Sequence, residues 1–257
     1  MRLLALASAL VVAALMQGLA QTDEARPLPE ANAFYDSVRQ NAVRSQREQN
    51  RYAYKERRTD LHTNPFGRIG TGGTRVFDVV PAPDGTTATR QLVERDGMPT
   101  PDSSPERINL PQRRNVNGSR SVDDIVQTLE FTIARREMRS GHPFIVITFV
   151  PKPNAKPTTR QGRLAKAFSG SMWINEAARE VERVEATAID DLSFGFGIVA
   201  RVRKGATVTA ERKPVEGGVW MPTSLRFNGE GRAILFRKLD VEYAMDWFDY
   251  RLVSAAR

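Results

Sequence analysis

The stretch FSGSMWINEAAREVERVEA, residues 168–186, has the composition of a β-hairpin. Polar and apolar residues alternate over 171–175 and again over 180–188, and the four residues between them favour a turn. In the second strand, Val184 and Ala186 share one face with Ala188 and with Glu182 at its outer end. Val181, Arg183, Glu185 and Thr187 form the other face, which is too polar for a closed core. The hairpin therefore predicts a sheet with one buried face and one more polar face.

Runs of the same kind continue on both sides of this hairpin. They lie at 51–60, 74–81, 88–97, 131–138, 143–151, 198–213, 218–228, 231–243 and 246–253. Glycine-containing turns separate several of them, including Lys204-Gly205, Glu216–Gly218 and Asn228–Gly231. We predict a mainly β fold of about ten strands in one antiparallel sheet. A single helix cannot cover so wide a sheet, so strong curvature into a half-open barrel is the simpler way to bury the inner face.

Three helical segments accompany the strands. Residues 30–50 place Phe34, Val38 and Ala42 on one stripe, which indicates an amphipathic helix that packs on the sheet. Ser121 and Asp124 have capping-box spacing, so a short helix is expected over 121–129. A further helical turn or two is expected over 159–168, with Gly170 as the stop.

Residues 97–121 are rich in proline and show almost no apolar periodicity. A strand meander rarely tolerates so long a structureless loop unless the loop has a function. We expect either an ordered excursion or a flexible flap there.

The first 20 residues resemble a secretory signal, with Arg2 followed by an apolar run and small residues before Gln21. The alternative is an uncleaved membrane anchor, although the run is shorter than a spanning helix requires. The chain has no cysteine, so lipid attachment at a mature N-terminal cysteine is excluded. We predict a signal peptide at 1–20, a single β domain at 21–257, and a periplasmic, non-lipidated protein.

The formal net charge is +8, and the sequence pI is near 10.1. This excess of positive charge favours anionic lipid headgroups, anionic glycans or an acidic protein surface as partners. Nucleic acid is a poor partner for an exported protein.

Catalytic patterns are scarce. The two histidines, His62 and His142, occur in turn-like segments without ligand-spaced partners, and no Gly-x-Ser-x-Gly motif is present. The glycine clusters at 67–75 and 195–200 lead into strands rather than helices, which is atypical of phosphate or dinucleotide loops. We predict no enzymatic activity, no metal site and no cofactor, and keep an envelope enzyme acting through either histidine as a minor alternative.

The aromatic residues concentrate in the C-terminal strands. They supply either an ordinary core or the wall of an apolar cavity for an acyl chain. Phe194 and Phe196 have the spacing of a cavity rim, whereas Trp173 is expected to be a packing anchor.

The segments FIVITFVPKP, TTRQGRLAKAF, GSMWINEAAREVERVEA and GVWMPTSLRFNGEGRAILFRKLDVEY together resemble the LolA-like superfamily of periplasmic lipoprotein carriers, also described as outer-membrane lipoprotein-sorting proteins. The resemblance covers mainly 125–250. It implies a half-open barrel with helical pieces as a lid over an apolar concavity. It also implies an arginine in the cavity that holds the lid, for which Arg135 or Arg136 is a candidate.

The leading hypothesis is a periplasmic, monomeric, non-enzymatic carrier of lipid or lipoprotein acyl chains. The candidate ligand-binding residues are Phe131, Ile133, Ile147, Phe149, Phe194, Phe196 and Trp220, and the candidate lid and headgroup residues are Arg160, Arg163 and Lys166. The alternative is an envelope-stress sensor of the same fold that binds a membrane-anchored anti-sigma factor. In both cases an envelope membrane protein is a candidate partner.

Overall fold

The computed structural model describes residues 26–63, 71–83, 85–110, 117–194, 200–233 and 237–253. The predicted signal segment 1–20 lies outside these residues. Three helices are present, α1 (Ala31–Gln49), α2 (Asn117–Thr128) and α3 (Arg160–Ala165). The strands are β1 (Tyr52–Thr63), β2 (Thr71–Pro81), β3 (Thr87–Arg95), β4 (Met98–Pro99), β5 (Glu106–Asn109), β6 (Leu129–Arg139), β7 (His142–Pro151), β8 (Phe168–Asn175), β9 (Glu180–Ala188), β10 (Leu192–Phe194), β11 (Ala200–Val202), β12 (Thr207–Pro214), β13 (Trp220–Ala233) and β14 (Arg237–Leu252).

All strands belong to one antiparallel sheet. The order is β4-β3-β2-β1-β14-β13-β12-β9-β8-β7-β6, with β5 also pairing with β3 and the short β10 and β11 extending the β9 and β12 positions. No pairing joins β6 to β4 or β5 within the described residues, so the sheet is open there. The predicted fold class, mainly β with one large open antiparallel sheet and a leading helix, is confirmed.

The contacts of α1 show that the sheet curves around this helix. The Tyr35 hydroxyl donates to the Phe131 carbonyl in β6, and the Asn50 amide donates to the Gly85 carbonyl in the turn between β2 and β3. The two helix positions are about 22 Å apart at 1.5 Å per residue. In a flat sheet β6 and β2 would be separated by roughly 38 Å. The sheet must therefore curl, and α1 lies inside the curl.

The main hydrophobic core lies between α1 and the strands β6 to β9. Phe34 of α1 is buried with Ile145, Ile147 and Ile174, and Tyr35 and Val38 pack beside them. The predicted apolar stripe of the first helix therefore provides its contact with the sheet. Both faces of β7 are buried, as its nearly continuous apolar run over 144–150 indicates. Phe144, Ile145, Val146 and Ile147 are all buried, although Val150 near the end of the strand is exposed.

A second, smaller core lies at the other side of the sheet. Val79, Ala88 and Leu110 are buried there, with Tyr54, Phe77 and Ile108 packed against them. Leu110 and Ile108 come from the proline-rich excursion, which therefore contains the ordered strands β4 and β5 rather than being wholly structureless.

Three local features of the structure differ from the sequence predictions. The opening hairpin has its predicted turn over 176–179, but it contains a β-bulge at Glu182, since Trp173 pairs with Arg183 and Ile174 with Val181. The helix expected from Ser121 begins at Asn117. Asn228–Gly231 is not a turn but part of β13, where Gly229 pairs with Val241 of β14.

Candidate functional site

The inner face of the sheet, against which α1 packs, presents two rows of apolar residues that cross the strands. Residues directly opposite each other in antiparallel strands share a face. The first row runs from β6 to β14 through Ile133, Ile147, Met172, Val184, Ala210, Leu225 and Met245. The second runs through Phe131, Phe149, Gly170, Ala186, Val208, Phe227 and Tyr243.

Exposure divides these rows in two. Ile147 and Phe149 are buried close to α1. From β8 to β14 every row member is only half-buried. The polar contacts of α1 with β9 and β13 lie at Glu180 and Trp220, the first residues of these strands, and not at the row members. We call this part the apolar trough; it consists of Met172, Val184, Ala186, Val208, Ala210, Leu225, Phe227, Tyr243 and Met245. The trough is an apolar surface that stays partly open to solvent, with Met172 packed against the core beneath α1.

Gly170 lets two strands approach closely in the second row. A Cβ at this position would lie 2.0 Å from the Glu185 carbonyl oxygen and 2.8 Å from the Ala186 Cα. No side chain can be accommodated at that distance, so Gly170 is required by the β8–β9 contact. The prediction of Gly170 as a helix stop is wrong, because α3 ends at Ala165 and Gly170 lies within β8.

The first row becomes polar where it reaches β1. Met245 pairs with Arg58, and Arg58 pairs with Arg75 of β2. The buried Glu56 carboxylate accepts from Arg58 Nε at 2.5 Å and from Trp247 Nε1 at 3.2 Å. Arg58 is thus neutralised by a neighbouring carboxylate, and the trough ends in a charge-balanced cluster.

A small cavity of about 150 Å³ lies beyond this cluster, at the C-terminal end of α1. Its walls include Tyr52, Tyr54, Trp247 and Tyr250. Burial, with a smaller contribution from the Glu56 carboxylate, raises the pKa of Tyr54 to about 12. The Tyr54 hydroxyl therefore stays protonated at neutral pH. The Tyr250 hydroxyl donates to the Pro222 carbonyl.

Buried polar contacts fasten α1 over the inner face. The Ser45 hydroxyl donates to Glu180 Oε1 at 2.5 Å, and Arg212 Nη1 donates to Glu180 Oε2 at 3.1 Å. Gln49 and Arg212 both donate to the Trp220 carbonyl. Desolvation lowers the pKa of Arg212, but its partner Glu180 favours the charged form. A buried pair of this kind depends on having both members present.

Trp220, predicted to bind ligand, is one of these fastening points. Its side chain is buried, and it lines a cleft of about 480 Å³ beside Ser45 and Glu180, outside the apolar trough. The remaining predicted ligand residues divide between two places. Phe131, Ile133, Ile147 and Phe149 come together near α1, Phe194 is the last residue of β10, and Phe196 lies outside the described residues.

The structure distinguishes between the two candidate lid arginines. A β-bulge in β6 between Ile133 and Arg135 reverses the alternation, so Arg136 pairs with Ile145 and turns inward. Arg136 donates to both carboxylate oxygens of Glu176 and to the carbonyls of Arg26 and Pro27. Hydrogen bonding from Arg136 lowers the pKa of Glu176. Arg136 thus holds the segment that leads into α1, whereas Arg135 points outward to Glu137.

The helices α2 and α3 are joined by one carboxylate. Asp124 of α2 accepts hydrogen bonds from the hydroxyl and backbone N–H of both Thr158 and Thr159, at the start of α3. The Thr159 hydroxyl is the largest of several hydrogen-bond contributions that lower the pKa of Asp124 to about 2. Asp123 pairs with Arg39 of α1. Asp124 therefore fastens Thr159, the N-cap of α3, to α2.

The predicted headgroup residues lie together on the outside of this helical end. Arg160, Arg163 and Lys166 are exposed, as are Lys152 and Lys156 in the segment before α3. We call these five residues the basic surface. None of the five forms an ion pair with a carboxylate of the described residues.

Trp173 lies on the face opposite the trough. Its indole N–H donates to Glu137 at 3.3 Å, and Arg139 stacks over its ring. The indole therefore contributes to packing on the outer face, and it takes no part in the trough.

His142 is exposed at the β6–β7 turn, and the backbone of His62 belongs to β1 rather than to a turn. Over the part of the chain that the structure describes, no three histidine, aspartate or glutamate residues are grouped as metal ligands would be. No described helix is long and apolar enough to cross a membrane.

Sequence reasoning missed most of the trough. Met172, Val208, Leu225 and Phe227 were not selected, although each lies in a run of period-two alternation. Extending the shared face of Val184 and Ala186 to the neighbouring strands would have found them, but that step requires the strand order.

Comparison with solved structures finds matches at low sequence identity. A LolA superfamily protein from Nitrosomonas europaea matches with 12% identity and a TM-score of 0.37, covering 85% of this chain and 93% of that one. A lipoprotein-sorting protein domain from Vibrio parahaemolyticus matches with 10% identity and a TM-score of 0.36, covering 84% and 93%.

A third match is MucB in its complex with periplasmic MucA, at 8% identity and a TM-score of 0.28, covering 88% of this chain and 100% of that one. Searches of protein-family models and of curated proteins find no match. At these TM-scores, function has to be argued from the residues of this chain.

Proposed function

We propose that this protein is a periplasmic, non-enzymatic carrier or binding protein for acyl chains of lipids or lipoproteins. The observation that supports this most directly is the apolar trough, which keeps Val184, Leu225 and Phe227 half-exposed on the inner face. A contiguous apolar surface that stays partly exposed is typical of a site for a ligand or a partner.

The energetics fit an acyl ligand. Each buried CH₂ contributes about 0.8 kcal/mol, so a 16-carbon chain has roughly 12 kcal/mol available before the costs of binding. A half-open trough buries only part of the chain and therefore gains only part of this free energy, which keeps release feasible. Phe131 and Ile133 beside α1 would extend the apolar surface, and Arg160, Arg163 and Lys166 would meet an anionic headgroup.

Titration with a fluorescent C16 fatty acid tests the proposal. Val184→Gln places an amide in the trough and is expected to raise Kd about 10-fold, since it removes most of the apolar burial at that position. Thr187→Gln is the matched control, because Thr187 is exposed on the other face of the same strand. Equal affinities of the two variants would contradict an acyl site in the trough.

Mass spectrometry of lipids extracted from the purified protein is the second measurement. We expect a copurifying acylated molecule that is lost in Val184→Gln. Absence of any lipid together with absence of fatty-acid uptake would instead favour the sensor alternative, in which the same fold binds a protein segment.

A further inference from the structure

We infer that the basic surface, together with two exposed valines beside it, docks this protein on an anionic membrane. The inference concerns a surface outside the apolar trough, and it stands whether or not the trough holds an acyl chain.

The first observation is an excess of positive charge that the protein does not neutralise. Residues 151–175 contain no aspartate or glutamate. Neither carboxylate of α2 pairs with these cations, since Asp124 accepts from Thr158 and Thr159 and Asp123 pairs with Arg39. The cations therefore project a positive potential that an anionic surface complements.

The second observation is that hydrogen bonds hold three of these cations in place. Lys152 donates to the Val126 carbonyl, Arg163 to the Thr158 carbonyl and Lys166 to the Ala155 carbonyl. The bonds tie the end of α2, the segment before α3 and α3 itself into one surface. The charges are thus fixed relative to each other rather than spread over a mobile loop.

The third observation is apolar. Val126 of α2 is 39% exposed and Val150 near the end of β7 is 49% exposed. Lys152 lies two residues beyond Val150 and binds the Val126 carbonyl, so both valines adjoin the basic surface. Aliphatic side chains flanked by lysine and arginine are typical of segments that lie at a membrane interface. An acidic protein would complement the charge, but it would leave the valines unexplained.

Glu130 is a negative group beside the two valines. It is exposed and pairs directly with Val150 across β6 and β7. Its negative charge should oppose docking. Removing this charge is therefore expected to strengthen binding, whereas removing the cations weakens it.

Binding to vesicles of phosphatidylglycerol and phosphatidylcholine, compared with phosphatidylcholine alone, tests the inference by cosedimentation. We expect binding only to the anionic vesicles, with loss in 1 M salt, where the Debye length falls to about 3 Å. Each Lys or Arg near such a surface contributes about a factor of five, so Lys156→Gln with Arg160→Gln should weaken binding roughly 25-fold. Glu130→Gln should strengthen it up to about fivefold.

Arg47→Gln with Arg107→Gln is the matched control, since both arginines are exposed elsewhere and the total charge change is the same. Equal weakening by the two pairs would reduce the effect to net charge and overturn the inference, as would equal binding to neutral vesicles.

Val126→Ser with Val150→Ser should weaken binding about fivefold, and no change would remove the valines from the surface. Binding to polyglutamate but not to vesicles would assign the surface to an acidic protein. Fatty-acid uptake measured without vesicles does not require membrane docking, so failure of either proposal is distinguishable.

Discussion

Arg136 and Arg135 are neighbours in β6 with opposite environments, and they provide a matched pair of substitutions. The Arg136 side chain is 1% exposed and the Arg135 side chain 57%. Arg136→Met removes the bidentate partner of the Glu176 carboxylate, which then keeps only its contact with the exposed Arg26, and it frees the segment before α1. We expect a loss of about 3 kcal/mol in the free energy of unfolding, measured by urea denaturation.

Arg135→Met removes only an exposed contact with Glu137 and should cost less than about 0.5 kcal/mol. Similar losses for the two variants would show that Arg136 does not hold the segment that leads into α1.

Asp124 should make stability depend on pH in the acid range. Its folded pKa of about 2 lies below its ordinary value of 3.8, so the folded state favours the ionised carboxylate. The resulting stabilisation is complete above pH 4 and is lost as the pH falls through the folded pKa. Asp124→Asn should therefore flatten the fall in melting temperature between pH 4 and pH 2. Asp123→Asn is the control, and an unchanged slope in Asp124→Asn would contradict the assignment.

At the scale of elements, the β8–β9 contact depends on Gly170. Gly170→Ala would place a Cβ against the Glu185 carbonyl and force the two strands apart. We expect a loss of about 2 kcal/mol in unfolding free energy, in the range of other overpacking substitutions. Ser171→Ala, in the next position of the same strand, is the control. A neutral Gly170→Ala would mean that β9 can shift without cost.

At the scale of the whole molecule, the structure predicts that α1 does not have to move for ligand to enter. The chain lacks cysteine, so Asn41→Cys with Ala178→Cys gives a single clean pair for a short thiol cross-linker. The Asn41 amide donates to the Ala178 carbonyl, so the two positions are close. Because the trough is half-exposed beside α1, we expect fatty-acid affinity to change less than about twofold on cross-linking. A loss of tenfold or more would show that ligand has to enter beneath α1.

The sequence by itself determined the type and most positions of the elements. The α1 stripe, the burial of β7 and the hairpin turn at 176–179 follow from period and turn composition, because these depend on neighbours along the chain. The strand conformation of Asn228–Gly231 could not be predicted from the sequence. Two glycines in this run resemble a turn until the cross-strand partners in β14 are known.

Only the tertiary structure decided which side chains share the inner face. Bulges in β6 and β9 each reverse the alternation, which turns Arg136 rather than Arg135 inward and places Val181 with Val184. The trough itself joins residues from β8, β9, β12, β13 and β14, which are neighbours through the strand order alone. A local pattern specifies the face of one strand, but register between strands is set by long-range pairing, and the candidate site is made by that register.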